Sequence, residues 1–426
     1  MKTKLRRYIV SNLIAMTGLS CYLLADTFFI SVAQGANGIT ALNLALPVYG
    51  LMFAIGSMIG VGSATRYSLS RAVGWGDEDR YFSGSALGAL AASVPFVLLG
   101  LFATDGVLLL LGADATILAV GRSYLRIALC CAPFFMLNYT CTAFVRNDGA
   151  PTIAMAATLT SGLFNILFDY IFMFPMGMGM VGAALATGLS PLVSMGICLV
   201  HYLSPKNNVR FVWAVPSLRR LAASCSLGVA AFVGEISGAV TTLVFNFLLL
   251  NLGGNVTVAA YGVIANVALV ATALFNGVSQ GLQPLASAAH GAANREEEAW
   301  LLRRCLQIAA ALAVVLVAVV VLLAEPLVSV FNSEGSAQLA AYAVPGIRLY
   351  FLGFLLACFN IVRAGYFGAV GMGRESAVIA LSRGVVSIVL FAVLLAALWG
   401  VTGVWLAFPV SEGFTLLISA RMGRKS

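Results

Sequence analysis

The chain has 426 residues, 61% of them hydrophobic and 9% charged, with a formal net charge of +8. A soluble domain carries about 25% charged residues, so these few charges cannot cover a water-facing surface of this size. A soluble enzyme, a disordered chain and a nucleic-acid-binding module are excluded, and the positive charge becomes a matter of membrane topology.

Taken in chain order, twelve apolar runs reach the length of a membrane helix, about 20 residues. They cover residues 8–33, 38–65, 81–104, 117–145, 150–174, 181–203, 223–251, 257–285, 299–324, 338–369, 375–397 and 402–420. This predicts an all-α polytopic membrane protein of twelve transmembrane helices, with short loops and no soluble domain. The first run follows MKTKLRR, as the apolar part of a signal peptide would. It is longer than the about 7–15 apolar residues of a signal and contains Asp26, so it reads as a spanning helix. The eight cysteines all lie in apolar runs without metal-ligand spacing. They read as small apolar side chains, not as disulfides or zinc ligands.

Charge fixes an orientation. With the loops placed alternately on two sides, all 24 basic residues except Arg122, Arg126, Arg348, Arg363 and Arg383 fall on the side of the two termini. The opposite loops hold no Lys or Arg. The positive-inside rule therefore puts both termini in the cytoplasm of a prokaryotic cell membrane.

The two halves repeat. GMVGAALA at 179–186 matches GVTGVWLA at 400–407, FVRNDGAP at 144–151 aligns with YFGAVGMG at 366–373, and Arg126 aligns with Arg348. All three pairs are about 220 residues apart, an internal repeat of the kind transporters carry. Six helices per repeat make the halves parallel. The expected organisation is an N-lobe at 1–203, a linker on the terminal side at 204–222 and a C-lobe at 223–426, surrounding a central cavity. One such chain forms its cavity alone, so a monomer is expected.

Ionisable residues inside membrane helices are costly and mark function. Asp26, Asp169, Glu235 and Glu412 are the acidic candidates, and Arg363 and Arg383 the basic ones. Asn165 and Asp169, at i and i+4, share a helix face. Carboxylate and amide oxygens suit a hard cation such as Na⁺, and a buried carboxyl also takes a proton. The group Asp26, Asn165 and Asp169 thus fits Na⁺, H⁺ or competition between them. Helix–helix hydrogen bonding is the plainer reading, and it weighs most for Glu412, near the basic tail. Two roles are open to Arg363: pairing with Glu235, or lining the cavity to attract an anionic substrate group. Tyr124, Met136 and Tyr139 are candidates for the lining of a promiscuous cavity, although ordinary packing is the commoner use of such residues.

Two signals mislead. Gly177, Gly179 and Gly182 spell G-x-G-x-x-G, but between membrane helices rather than after a buried strand, so no nucleotide is expected. His201 and His290 lie near the terminal-side boundary and read as interfacial packing. No phosphate-binding G-x-x-x-x-G-K-[ST] occurs, so the expected energy source is an ion gradient. No cofactor is expected beyond the coupling ion.

ADTFFI at 25–30, PVYGLMFAIGSMIGVGSATRYSLSRAVGWGD at 47–77, FNILFDYIFMF at 164–174 and GMGMVGAALAT at 177–187 resemble segments of the multidrug and toxic compound extrusion (MATE) transporters. The likeness spans the chain. It implies a V-shaped pair of six-helix lobes that exports amphipathic, mostly cationic, small molecules in exchange for Na⁺ or H⁺. It also implies an N-lobe cation site of Asp26, Asn165 and Asp169, with Thr187 and the backbone of Ala183, and with Tyr124 in the same network. The NorM-like branch carries a tenth-helix acid that would fall near Phe359 or Asn360 here, so the chain looks closer to the DinF-like branch. Asn360 joins Glu235, Arg363, Tyr139 and Met136 as a candidate for the substrate cavity. Arg363 fits neither branch and keeps a second reading open: a flippase or exporter of a lipid-linked or anionic substrate.

Overall fold

The computed structural model describes residues 2–74, 78–113, 115–213, 217–331 and 336–422, which are all-helical, without a strand. The first half comprises α1 (Lys2–Val73), α2 (Asp79–Phe102), α3 (Thr104–Leu110), α4 (Ala115–Cys130), α5 (Ala132–Asn147), α6 (Pro151–Met173) and α7 (Gly179–Tyr202). The second comprises α8 (Leu218–Gly291), α9 (Arg295–Leu322), α10 (Ala324–Phe331), α11 (Ala337–Phe351), α12 (Phe354–Ala369), α13 (Gly373–Leu381), a π-helical turn (Ser382–Val386) and α14 (Ser387–Met422).

Among the described residues, eight helical stretches are long and apolar enough to cross a membrane, or ten when each of two bent pairs counts as one span. The remaining two of the twelve runs lie inside continuous helices that turn back. Gly373–Met422 has 50 residues, about 75 Å if straight against an apolar layer of about 30 Å. It reverses at Gly400 (φ 58, ψ −135). Beyond the bend, a Cβ on Gly403 would lie 1.8 Å from the Leu395 carbonyl oxygen, so only glycine lets the two arms meet there. Helix α1 also folds back. Tyr8, near its start, lies 3.9 Å from where a Gly149 Cβ would sit, and Tyr67, near its end, donates to Asp148 at 2.9 Å. In α8 the reversal comes at Gly254 (φ 70, ψ −160), where the Thr257 hydroxyl donates to the Leu249 carbonyl at 2.7 Å.

Two expected single runs are broken instead. The pairs α4–α5 and α11–α12 bend by 45° and 46°. Pro133 explains the first break, because it lacks the N–H a continuous helix needs and its ring clashes with the preceding turn. Two expected loops contain the short helices α3 and α10. Arg122 forms a salt bridge with Asp105 of α3, and Arg348 one with Glu325 of α10 at 3.3 Å. The matched pair Arg126 and Arg348 each donates to a carbonyl near the end of α2 or α9, Leu101 and Val321. These arginines therefore tie down outer helix ends.

The repeat holds in backbone detail. Gly149 and Gly371 end α5 and α12 with φ 96 and 82. The next residue in each case donates back five positions, Ala150 to Val145 at 3.1 Å and Met372 to Phe367 at 2.8 Å, the bond of a Schellman cap. Gly179 and Gly400 share positive φ, and Gly182 and Gly403 both abut the backbone of the preceding helix. The G-x-G-x-x-G run is thus a tight turn with close helix packing.

The two halves press together on the terminal side. A Cβ on Gly62 would meet the Ser224 carbonyl oxygen at 2.2 Å, and one on Gly228 the Met58 oxygen at 2.1 Å. Likewise, Gly277 and Gly281 of α8 abut Leu13 and Ile9 of α1. Small residues let membrane helices approach at backbone distance.

Each half also carries a buried carboxylate with a histidine near this side. Asp148 meets His201 Nε2 at 2.8 Å, the Asn208 N–H at 2.9 Å, the Tyr67 hydroxyl and Arg71. Glu298 meets His290 Nδ1 at 3.0 Å and the Tyr366 hydroxyl at 2.5 Å. The histidines therefore do more than fill the interface. Burial pushes the Asp148 carboxyl up, but the bonds from Asn208, His201 and Tyr67 outweigh it and hold the group below its ordinary value. Its contribution to stability is present above the ordinary Asp value of about 3.9 and is lost as pH falls through the lower folded value. Asp148→Ala is expected to cost about 3 kcal/mol at neutral pH, since it orphans several buried donors. Thermal unfolding of the two proteins should differ at pH 7 and converge only below about pH 4.

Candidate functional site: a carboxylate pair inside the first half

Asp26 on α1, Asn165 and Asp169 on α6, Ala183 and Thr187 on α7 and Tyr124 on α4 are all buried. The helical period brings Asn165 and Asp169 to one face of α6, and Ala183 and Thr187 to one face of α7. Packing then brings these faces together with α1. The carboxyls of Asp26 and Asp169 lie within hydrogen-bond reach of each other. Asn165 joins α6 to α7: its side-chain amide lies 3.1 Å from the Thr187 hydroxyl. With the amide oriented to satisfy both ends, its nitrogen donates to Asp169 Oδ2 at 3.2 Å and its oxygen accepts from the Thr187 hydroxyl. Tyr124 lies within the electrostatic reach of both carboxylates and packs against Tyr49 at 6.1 Å between ring centroids.

Pro191 lies inside α7. It withholds the N–H that would bond the Thr187 carbonyl, and the Ser190 hydroxyl supplies that bond at 3.0 Å. The Ser190 carbonyl in turn accepts from Ser161 of α6 at 2.7 Å. These links fix the Thr187 side of the site, and their signal in the sequence is the Pro itself.

One oxygen of each carboxylate, Asp26 Oδ1 and Asp169 Oδ1, is buried without a hydrogen-bond partner. Buried acceptors in this state call for a donor or a cation. Two touching carboxylates cannot both remain charged in such a place without one. Two carboxylates, an amide and a hydroxyl supply oxygens of the kind a hard cation takes. A single proton shared by the pair answers the same need.

The remaining candidates disperse. Glu235 of α8 is exposed, and the Tyr139 hydroxyl of α5 donates to it at 3.3 Å across the two halves. Met136 is fully buried in the first-half core, against Gly56. Asn360 is also fully buried: it donates to the Glu412 carboxylate at 2.8 Å and to that residue's carbonyl at 2.9 Å. Arg363 donates to Ser419 at 3.2 Å, and Ser419 to Asn360 at 3.3 Å. Arg363, half-buried, therefore bonds within the second half and does not pair with Glu235. Arg383 closes this second cluster with a 2.6 Å salt bridge to Glu412. It sits in the π-helical turn Ser382–Val386, a feature frequent at functional sites and without a signature in the residue pattern.

The MatE family model matches residues 13–171 and 230–394, one stretch in each half. The multidrug export protein MepA of Staphylococcus saprophyticus is 27% identical over 401 residues, covering 92% of this chain and 86% of its own length. MepA of Staphylococcus aureus is 27% identical over 403 residues, covering 93% and 87%. Among solved structures, an outward-facing multidrug resistance MATE transporter superposes with a TM-score of 0.92 at 22% identity, covering 99% of this chain and 95% of that one. A MATE protein in complex with MaL6 superposes with a TM-score of 0.93 at 23% identity, covering 100% and 96%. The matched family model and the fold identify the chain as a member of the MatE family, a membrane transporter and not an enzyme.

Proposed function

We propose that this transporter is a secondary antiporter that exports amphipathic cationic molecules across the cytoplasmic membrane of a prokaryote in exchange for Na⁺ or H⁺. The carrying observation is the buried contact of Asp26 with Asp169, each with an unpartnered oxygen. A cation there ties α1 to α6 and α7 and so favours one packing of the first half over another. A ligand shifts an alternating-access equilibrium only through such differential affinity. The naming of the MepA relatives as multidrug exporters supports the direction. The clustering of basic residues on the terminal side supports cytoplasmic termini. The tenth-helix acid of the NorM-like branch would fall near Phe359 or Asn360 here, neither of them acidic, which supports a position nearer the DinF-like branch.

Glu235 supports a cationic substrate, because it is an exposed carboxylate held between the two halves. The lipid-linked or anionic alternative rests on Arg363, whose hydrogen bond runs to Ser419 instead. Glu235→Gln is expected to raise the half-saturating concentration of a cationic dye about tenfold, the worth of one charge-assisted contact, and to leave a neutral substrate unaffected.

The deciding experiment uses purified protein in liposomes loaded with a fluorescent organic cation, with a Na⁺ gradient and a pH gradient imposed separately. Movement driven by one gradient alone identifies the coupling ion. No movement under either gradient rejects coupled cation export and leaves the lipid-linked or anionic reading.

A further inference from the structure

The chain that connects the two halves makes more contacts than a connection needs. Linkers between units that move are exposed, and few contacts cross them. Here residues 203–212 lie along the first half instead. In extended chain, alternate residues face the same way, and three alternate N–H groups find first-half acceptors. The Asn208 N–H donates to Asp148 Oδ2 at 2.9 Å, that of Arg210 to Asp79 Oδ1 at 3.2 Å, and that of Val212 to the Ser83 hydroxyl at 2.7 Å. Asp148 is the C-cap of α5, and Asp79 and Ser83 stand at the start of α2.

Side chains add to these bonds. The Asn208 amide donates to Asp148 Oδ1 at 3.1 Å. Val209, only 3% exposed, joins the buried cluster of Tyr67 and Phe144, and Phe211 meets Phe82 edge-on at 6.4 Å. Asn207 braces the segment from within: its amide donates to the Tyr202 and Val209 carbonyls and its oxygen accepts the Val209 N–H, each at 2.9 Å. Among the described residues, the hydrogen bonds and ring contacts of residues 206–212 run to the first half or within the linker, and none to α8.

We propose that residues 203–212 are a strap that stays docked on the first half throughout the transport cycle and limits how far the two halves part on the terminal side. The inference rests on the alternating-access reading above. With the strap docked, the covalent path from Val212 to the start of α8 at Leu218 is six residues, about 20 Å at full extension. With the strap released, the path from Tyr202 to Leu218 would be sixteen residues, about 55 Å. Docking therefore turns a slack connection into a short tether. A rigid-body rotation that opens the terminal side carries the strap along with α2 and α5, and the tether holds the start of α8 near the start of α2. Asp148 is the main fastening, because one carboxylate accepts both bonds from Asn208.

The test locks the strap in place. Asp79→Cys with Arg210→Cys, at two sites that are not buried, is bridged in the purified full-length protein by a short bifunctional thiosulfonate, which dithiothreitol removes. Ethidium movement is then followed in liposomes under an imposed Na⁺ or pH gradient. Each single-cysteine variant receives the same reagent as a control for the native cysteines. The expected result is the same transport rate before and after the bridge is reduced. Transport lost on bridging and regained on reduction overturns the proposal. Met16→Cys with Gln280→Cys puts the same bridge across the two halves, where the Gln280 amide lies 3.6 Å from the Met16 sulfur, and should stop transport. If it does not, the alternating-access reading fails, and the strap is judged by a second readout, the hydrogen exchange of peptides covering residues 203–212. That exchange should be as slow as at the start of α2, with and without ethidium and Na⁺ and at each pH. A strap that exchanges as fast as an unstructured peptide in any of these conditions overturns the proposal.

Discussion

Asp169→Asn is expected to reduce gradient-driven transport about 100-fold or more while the protein stays folded. The substitution keeps the size of a fully buried side chain and its capacity to bond Asn165, but it removes one of two carboxylates from the cation's shell. Loss of one member of a buried charge set costs about 3–5 kcal/mol, which corresponds to at least two orders of magnitude in the affinity that coupling depends on. Stability should move the other way. Without a bound metal cation, the wild-type pair must take up a proton to keep its two carboxyls in contact, and the variant has no such requirement, so its unfolding midpoint should equal or exceed that of the wild type. A bound coupling ion adds stability in proportion to its occupancy. The wild-type midpoint should therefore rise with Na⁺, or respond to pH where H⁺ is the ion, and the variant should lose that response. Asp26→Asn should behave alike. Full transport in either variant, measured in the same liposomes, would falsify the role of the pair.

Arg383→Met carries the largest expected stability effect. Arg383 and Glu412 form a 2.6 Å salt bridge with side-chain exposures of 16% and 1%, and Asn360 adds a hydrogen bond to the same carboxylate. Removing the guanidinium leaves a buried carboxylate with only an amide for company, at a cost of about 3–5 kcal/mol. Removing both charges by Arg383→Met with Glu412→Gln should return most of that loss, because the burial cost of the ions disappears with them. Unfolding midpoints of the singles and the double measure this coupling. An additive double would show that the pair acts as two separate groups. The cluster lies in the second half, so these losses should lower the yield of folded protein without changing which ion drives transport.

The two halves share a backbone plan and differ in chemistry. Matched glycines give both the same turns and helix ends, yet a carboxylate pair occupies the interior of one half and a neutralised ion pair that of the other. In the second half the positive charge facing Glu412 is covalently part of the chain. In the first, the described residues place no such cation beside Asp26 and Asp169, and this supports the proposal that the first half is the one that responds to an ion gradient.

The sequence by itself determined what depends on local periodicity and on cost. Apolar length set the twelve passes, because backbone groups in lipid must be satisfied within helices. Glycine spacing set the repeat, and the bends at Gly254 and Gly400 fall on the residue type that accepts positive φ without steric cost. The expense of a carboxylate in hydrocarbon singled out Asp26 and Asp169, and the 3.6-residue turn placed Asn165 beside Asp169. Only the tertiary structure decided which faces meet across helices. It brought Asp26 to Asp169, sent Arg363 to Ser419 and not to Glu235, paired Arg383 with Glu412, buried Met136 and Asn360 fully, and gave each histidine a carboxylate. The physical reason is that partners on one helix are fixed by its period. Partners on different helices depend on rotation, tilt and depth, which the packing of the whole bundle sets at once.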